Sequence, residues 1–328
     1  MSTEPVTDPS APSPSCAAAR ELEPMDPAIR SIQPGGGKCM SIELAWGRMR
    51  RWYLRHFRKG YVAKMRACRR GTGGDYPHDI LDPRDLKYYG NQGDLHWEVA
   101  DDPFAWRDRL PFARVGLGEL FIVGSSLLAL ALALAWVYWP LALIPLVVLA
   151  EVAWFFRDPK RTIPSDPGCV VAPADGRICS IRKIDYDEFI GGPAIVVDIF
   201  LSIFNVHINR APAAGHVIGL AYRPGKFLNA LRPESARENE CLELRLVANE
   251  PPYRAYRVRQ ITGAIARRIV CWVRPGTHLQ KGAQFGMIKL GSRTELTLAE
   301  SPGLTLKATV GQKVRAGSTV LARYDDGP

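Results

Sequence analysis

The sequence predicts a mainly β domain over residues 157–328 behind a helical membrane anchor at residues 115–156. The anchor is predicted by 31 residues, Leu120–Ala150, that contain no charged side chain. The β domain is predicted by short segments of alternating polar and apolar residues, which glycine and proline interrupt at roughly 8–12-residue intervals. Apolar residues make up 47% of the chain, enough for a buried core.

Two polar stretches precede the anchor. Residues 1–40 are rich in Pro, Ser, Ala and Gly and predict a disordered tail. Residues 41–114 form a basic extension to which the sequence assigns no role. Within it, residues 48–70 carry ten Lys/Arg and no acid, interleaved with Trp52, Tyr53, Phe57 and Tyr61. This pattern is typical of a solvated helix face or of a membrane-surface helix.

The overall charge and the cysteines narrow the protein class. The net charge of +10 favours an anionic partner, and without a recognisable nucleic-acid module we expect an acidic lipid surface and no nucleic acid. The seven cysteines are odd in number and form no CxxC pair and no spacing typical of zinc. We therefore expect reduced thiols in a cytoplasmic compartment and no metal site.

The uncharged run is long for one membrane crossing and short for two, since one crossing needs roughly 20 apolar residues. Pro140 and Pro145 interrupt it near its middle, as a tight hairpin requires. Positive charge on both flanks favours two cytoplasmic ends. We expect a helical hairpin or re-entrant anchor in the cell (inner) membrane, with the β domain on the cytoplasmic side. The flanking cations are Arg107, Arg109, Arg114, Arg157, Lys160 and Arg161.

Four segments of the β domain are predicted strands. Residues 241–247, 293–298 and 304–310 alternate in polarity, as half-buried strands do. Residues 194–204 form a continuous apolar run, which predicts a strand buried on both faces.

The β domain also contains an internal repeat. Gly276-x5-Gly282 and Gly311-x5-Gly317 each carry an aliphatic residue at the fourth position. Two copies predict a repeated turn–strand–turn unit. The unit resembles the glycine-punctuated hairpin of biotinyl/lipoyl-type barrel-sandwich-hybrid domains, without the lysine tip of a swinging-arm carrier.

The segment FGMIKLGSRTEL, residues 285–296, predicts two strands with a break at Gly291-Ser292. The break is either an ordinary hairpin turn or a peptide bond that the chain cuts itself. A glycine lacks Cβ, so the Ser292 hydroxyl can approach the Gly291 carbonyl. Attack would convert the amide to an ester, and elimination would leave a pyruvoyl group, an electron sink. The same dipeptide recurs at residues 124–125 and 317–318, so alone it is weak.

Residues upstream supply partners for such a serine. His207 is a candidate general base, and Asp175 is the acid expected to orient it, as in a Ser/His/Asp triad. Asp175 lies in ADG, where the alternative is an ordinary turn. Asn209 and Arg210 are expected either to hold a lipid phosphate or to brace their own turn. His216 and His278 are predicted to be structural or surface residues.

Four motifs carry a family resemblance. FFRDPKRTIP, APADGRI, NVHINRAPAAG and FGMIKLGSRTEL occur in this order, and together they resemble phosphatidylserine decarboxylase, especially its short bacterial branch. The resemblance covers roughly residues 110–328. It implies self-cleavage into a β chain, residues 1–291, and an α chain, residues 292–328, whose pyruvate cofactor is formed covalently from Ser292. It further implies a Schiff base with the amine of phosphatidylserine, loss of CO2 and formation of phosphatidylethanolamine.

One position departs from the longer branch of that family. There a second histidine lies three residues before the counterpart of His207, and here that residue is Phe204. The proton donor after decarboxylation stays open, with His207 as the first candidate. A homo-oligomer is compatible with the sequence. The alternatives are a non-enzymatic, membrane-anchored barrel-sandwich adaptor, or a decarboxylase of another serine phospholipid or small amino acid.

Overall fold

A computed structural model describes residues 20–249, 252–264, 268–289 and 291–325. Helices dominate its first half. The α-helices are α1 (Lys38–Phe57), α2 (Lys59–Cys68), α3 (Leu117–Tyr138), α4 (Leu143–Phe155) and the short α5 (Ser235–Glu238). Single turns of 3₁₀-helix lie at Pro83–Leu86, Ala105–Arg109, Arg114–Gly116 and Trp139–Ala142.

The second half is mainly β, as predicted, and its largest sheet is curled like half a barrel. The eight strands of that sheet run in the order β13-β2-β3-β11-β7-β6-β5-β9, and two three-stranded sheets have the orders β1-β14-β12 and β4-β10-β8. The strands are β1 (Cys169–Val171), β2 (Gly176–Asp187), β3 (Gly192–Leu201), β4 (Ile208–Arg210), β5 (Gly215–Arg223), β6 (Cys241–Ala248), β7 (Ala255–Thr262), β8 (Arg268–Cys271), β9 (His278–Leu279), β10 (Gln284–Lys289), β11 (Ser292–Ala299), β12 (Leu304–Leu306), β13 (Lys313–Val314) and β14 (Val320–Tyr324).

The central strand β3 explains where the core lies. It pairs antiparallel with β2 and β11, and every residue from Ala194 to Ile199 is buried. The two-faced burial predicted for this run is therefore correct, although the strand ends at Leu201 because the chain then turns toward β4. The predicted strand at 304–310 is shorter than expected and stops at Leu306.

The predicted repeat exists as two turn–strand–turn units. In each unit two glycines with positive φ enclose a two-residue strand, β9 in the first and β13 in the second. The closing glycines, Gly282 and Gly317, lie side by side against Ile163, where a Cβ on either would come within 3 Å of the isoleucine side chain. Only glycine fits both the backbone conformation and the space there.

The apolar segment folds as two packed helices whose outer ends meet. Ala113 donates its N–H to the Phe156 carbonyl at 2.8 Å, and Phe112 and Arg157 form an isolated antiparallel β-bridge. By length and composition, one segment of the described residues, Arg114–Phe155, is able to cross a membrane. The 22 residues of α3 span roughly 33 Å at 1.5 Å per residue, about the thickness of a bilayer core. The 13 residues of α4 span roughly 20 Å.

Part of the predicted disordered tail is packed on the β domain. Residues 1–19 lie outside the described part of the chain, whereas Ile29 and Ile32 are both buried. Ile32 accepts a hydrogen bond from the Cys271 N–H at 2.7 Å, and the Glu23 carboxylate pairs with Arg245. The predicted end of the disordered tail at residue 40 is therefore wrong. Two isoleucines among many prolines are enough to bury this segment against the β domain.

The basic extension is joined to both the anchor and the β domain. Tyr88 donates its hydroxyl to Glu43 of α1 at 2.6 Å, and its carbonyl accepts the Ile32 N–H at 2.8 Å. A second apolar cluster thereby links α1, the base of the anchor and strands β4, β8 and β10. Its buried members are Ile32, Met40, Tyr88, Ala113, Val115, Phe155, Phe156, Val206, Ile208, Val270 and Met287.

Candidate active site

The break at Gly291-Ser292 is a crossing between two sheets. β10 pairs with β4 and β8, whereas β11 lies between β3 and β7 in the large sheet. Leu290 lies outside the described residues, and Gly291 has a φ of +50°, in the left-handed region. The hairpin alternative is wrong, because the two strands do not pair with each other.

Ser292 is the first residue of β11 and is fully buried. It lies opposite Leu201 of β3 and Thr262 of β7. Within the described part of the chain its Oγ has no hydrogen-bond partner. A buried hydroxyl without a partner costs about 1–3 kcal/mol, so its retention needs an explanation outside stability. A serine that must lose its proton and attack a carbonyl would explain the unpartnered hydroxyl.

Gly263, which follows β7, makes room for the scissile bond. A Cβ at residue 263 would lie 2.4 Å from the Gly291 carbonyl oxygen and 3.2 Å from its carbon. Both are backbone atoms that cannot rotate away. Sequence reasoning missed this residue, since no motif near Gly263 marks it as part of a site.

Replacing Gly263 with alanine is expected to slow self-cleavage by roughly tenfold or more, equivalent to about 1.4 kcal/mol of barrier. The methyl group would push the Gly291 carbonyl away from its position. Gly192→Ala is the matched control, because a Cβ there meets no atom within 4 Å. The fraction of cut chain against time, read from a denaturing gel, measures both. Equal rates for the two variants would contradict this role of Gly263.

His207 lies in the connection between β3 and β4 and is fully buried. Its Nδ1 is 2.9 Å from the carbonyl oxygen of Asn205, so Nδ1 carries the proton and donates it. Nε2 is then the basic nitrogen, and it has no partner among the described residues. Burial is the main reason that the pKa of His207 is lowered to about 4; the hydrogen bond to Asn205 opposes this shift, and the Arg157 charge adds to it. The imidazole is therefore neutral at pH 7.

The strand register brings His207 and Ser292 to one region. The His207 carbonyl accepts the N–H of Ile288 at 3.1 Å, four residues before Ser292. Leu201, six residues before His207, is the β3 partner of Ser292. A basic imidazole nitrogen and a hydroxyl, both buried and both unpartnered, thus lie where the ends of β3 and β10 meet.

Asp175 does not occupy the predicted position beside His207. Its carboxylate accepts two hydrogen bonds from Nη2 of Arg161, at 2.8 and 3.0 Å, and one from the Ala316 N–H at 2.8 Å. These donors satisfy the Asp175 carboxylate. The Asn205 carbonyl, instead of Asp175, accepts the hydrogen bond from the imidazole. The expected Asp175–His207 contact is therefore absent from the described residues. Sequence reasoning missed both Asn205 and Arg161.

The side chains of Asn209 and Arg210 contact segments that are distant along the chain. The Asn209 amide donates to Thr294 Oγ1 at 3.1 Å and accepts from Gln260 at 2.9 Å, fully buried. Arg210 donates to the Gly282 carbonyl at 3.0 Å and pairs with Asp158 at 3.3 Å. None of these partners lies in the NRAP turn, so the contacts show neither the expected bracing of that turn nor a lipid-phosphate site.

The loop before His207 is tied to the base of the anchor. The Phe204 carbonyl accepts from Trp154 Nε1 at 3.2 Å and from the Arg157 guanidinium at 2.9 Å. Arg157 also lies over the Trp154 ring, 4.0 Å from its centroid. The Phe204 side chain is 61% exposed, so it does not replace the missing second histidine with another buried group.

A buried ion pair makes a second link between the anchor and the cleavage site. Lys289, two residues before Gly291, pairs with Glu119 in the first turn of α3. Both side chains are at most 14% exposed. Sequence reasoning did not single out either residue, because they are 170 positions apart.

Glu119→Gln is expected to slow maturation and destabilise the protein by about 3–5 kcal/mol, since it leaves the Lys289 ammonium buried without its counter-charge. The double variant Glu119→Leu/Lys289→Met removes both charges and is expected to recover most of the stability. Chemical denaturation and the fraction of cut chain measure the two effects. A double variant as unstable as the single one would contradict this assignment.

Comparison with known proteins finds one matching family model and several similar proteins. A sequence profile of the phosphatidylserine decarboxylase family matches residues 148–322, which include Asp175, His207 and Ser292. A protein of Rhodopirellula baltica described as phosphatidylserine decarboxylase proenzyme is 54% identical over 242 residues, 74% of this chain and 100% of the relative. Proteins with the same description from Desulfotalea psychrophila and Symbiobacterium thermophilum are 44% and 42% identical over 56% and 61% of this chain, and 84% and 91% of their own lengths.

Proposed function

The chain belongs to the phosphatidylserine decarboxylase family, and on that premise we propose that it cuts its own backbone at Gly291-Ser292 and then decarboxylates phosphatidylserine to phosphatidylethanolamine. One observation carries the proposal beyond the family name. Ser292 Oγ and His207 Nε2 are both buried and unpartnered among the described residues, at the point where the chain crosses between sheets. A non-enzymatic adaptor would have no use for this arrangement.

The first step is an attack by Ser292 on the Gly291 carbonyl. His207 Nε2 takes the hydroxyl proton as Oγ bonds to the carbonyl carbon, and returns it to the Ser292 nitrogen as the C–N bond breaks. An ester then links Gly291 to the serine oxygen. The Asn205 carbonyl keeps the Nδ1 proton in place, so the imidazole presents its basic nitrogen throughout.

The second step cleaves the ester between Gly291 and the serine oxygen. Removal of the Cα proton of residue 292 expels the Gly291 carboxylate and leaves a dehydroalanine N-terminus, which water converts to a ketone with loss of ammonia. The residues fit such a group: Ser292 is fully buried, and Gly263 leaves space beside the Gly291 carbonyl. A pyruvoyl group at residue 292 supplies a ketone that condenses with the substrate amine and accepts the electrons released with CO2.

The two resulting chains are expected to stay assembled. The α chain, residues 292–328, begins with β11, which pairs along its whole length with β3 and β7 of the β chain. Asp175 in the β chain accepts the N–H of Ala316 in the α chain at 2.8 Å. Together with Arg161, Asp175 therefore fixes the junction between the chains. We assign it this positioning role beside the catalytic pair.

The substrate is expected to approach from the anchor side. Arg157 lies at the end of the apolar hairpin, is partly exposed, and donates to the loop that carries His207. A guanidinium there suits the phosphate or carboxylate of a phospholipid head group. We propose Arg157 for the role first expected of Asn209 and Arg210. The hairpin would hold the site at the inner face of the cell membrane, with the β domain cytoplasmic and of the barrel-sandwich type.

Release of CO2 from phosphatidylserine in vesicles tests this function. The wild-type protein is expected to produce phosphatidylethanolamine, and Ser292→Ala is expected to produce none. Free serine and other serine phospholipids, supplied separately, define the substrate class. Cut wild-type protein that releases no CO2 from phosphatidylserine would contradict the substrate assignment while leaving the processing step intact.

A further inference from the structure

Helix α1 carries an apolar stripe that the described residues leave uncovered. The stripe consists of Ile42, Trp46, Met49, Tyr53 and Phe57, spaced four, three, four and four residues apart. This spacing places all five side chains on one face of an α-helix. They are between 46% and 64% exposed.

The opposite face of α1 holds the helix on the protein. Met40, Gly47, Arg51 and Leu54 are its buried residues, and Arg51 is hydrogen-bonded to Asp85 at 3.1 Å. The α1 stripe therefore faces away from the body of the molecule and contributes nothing to its core. A contiguous exposed apolar face such as the α1 stripe marks an interaction surface.

The α1 stripe continues into the surface of the anchor. A groove of about 810 Å³ lies between α1 and the base of α3, lined on one side by Ile42 and Trp46. Leu120, Phe121 and Ile122 line the other side, and Phe121 is 77% exposed. One apolar surface thus runs from the segment able to cross a membrane to α1.

Exposed basic side chains of the α1–α2 segment indicate the chemistry of the partner. Four exposed cations, Arg48, Arg58, Lys59 and Lys64, form no ion pair within the described residues. A second copy of the chain would bring like charges together here. An anionic lipid surface satisfies both the apolar stripe and the unpaired cations.

We propose that α1 lies in the lipid–water interface of an anionic bilayer beside the base of the anchor, with the α1 stripe among the acyl chains. Each Lys or Arg near such a surface contributes about 1 kcal/mol of attraction. The contact is a membrane attachment additional to the hairpin, and it does not depend on the decarboxylation chemistry.

Photo-crosslinking in the full-length, reconstituted protein tests the proposal. p-Benzoylphenylalanine is placed at residue 46 or 53, in vesicles of phosphatidylcholine with or without phosphatidylglycerol. Trp136 in the anchor, 93% exposed, is the positive control, and Tyr186 in β2, 66% exposed, is the matched negative control. Mass spectrometry identifies the crosslinked species.

Phospholipid adducts are expected at residues 46 and 53, several-fold more abundant in the anionic vesicles, and none at residue 186. Changing Arg48, Arg58, Lys59 and Lys64 together to glutamine is expected to abolish the difference between the two vesicle types. Adducts at residue 136 without adducts at 46 and 53 would overturn the proposal. A crosslinked dimer through residue 46 or 53 would overturn it in favour of a self-association surface.

Discussion

Ser292→Ala is expected to leave one uncut polypeptide of 328 residues. The variant lacks the hydroxyl that we propose attacks the Gly291 carbonyl, so neither the ester nor the ketone can form. Decarboxylase activity is expected to fall to the uncatalysed level, because the catalytic carbonyl is absent. Intact-mass measurement of the purified variant shows whether the chain is cut and, if it is, at which bond.

Ser318→Ala is the matched control for this experiment. Gly317-Ser318 is the same dipeptide, also with a positive-φ glycine, and it lies in a turn of the same domain. Ser318→Ala is expected to mature at the wild-type rate and to retain activity. If Ser292→Ala were still cut between residues 291 and 292, the nucleophile would have to be another group.

Replacing His207 with glutamine is expected to slow maturation by roughly 10²–10⁴-fold, the usual contribution of a general base. The amide of glutamine cannot take the Ser292 proton. His216→Gln and His278→Gln are the controls, because these two rings lie 4.3 Å apart on the exposed edge of β5 and β9. Both controls are expected to mature normally. Normal cleavage of His207→Gln would remove His207 from the mechanism.

The low pKa of His207 also predicts how maturation depends on pH. Only the neutral imidazole accepts a proton, and its pKa in the folded chain is about 4. The rate is therefore expected to be flat above pH 5 and to fall about tenfold per pH unit below 4. A rate that instead followed the ordinary histidine pKa near 6.5 would show that the imidazole is solvated during the reaction.

The same shift links stability to pH. Because the folded pKa is depressed from 6.5 to about 4, the unfolded chain binds more protons between these values, and stability falls as the pH is lowered through that window. The loss attributable to His207 is at most about 3 kcal/mol. In the uncut Ser292→Ala background, His207→Gln is expected to lack this part of the acid sensitivity.

Local patterns in the sequence predicted most of the fold. The uninterrupted apolar residues of β3, the alternating polarity of β6 and the paired glycines around β9 and β13 each express a rule that acts within a few residues. The alternation of residues 293–298 correctly predicts a strand, but the half-burial expected of β11 is wrong, because the polar residues of this central strand are buried too. The segment around Ile29 and Ile32 could not be assigned in this way. Its burial depends on strands far along the chain, such as the one that ends at Cys271, 239 positions after Ile32, to which its composition gives no clue.

Residue type and motif indicated the candidate residues of the site, but not their contacts. Ser292 and His207 stand out in this way, and the structure places the loop of His207 beside β10 and Ser292 beside the end of β3. The partners of His207 and Asp175 do not stand out. The imidazole of His207 is held by the backbone carbonyl of Asn205, and because every residue has a backbone carbonyl, the sequence does not mark this one. The guanidinium of Arg161 contacts Asp175 from a loop without regular structure.

The central claim is that the chain makes its own ketone at residue 292, and the mass of freshly purified, active wild-type protein tests it most directly. Two chains are expected, one ending at Gly291 and one of 37 residues that is lighter by one ammonia than the serine-started peptide. Borohydride or hydroxylamine should modify only the smaller chain. One uncut chain, or a smaller chain that starts with an unmodified serine, would contradict the account.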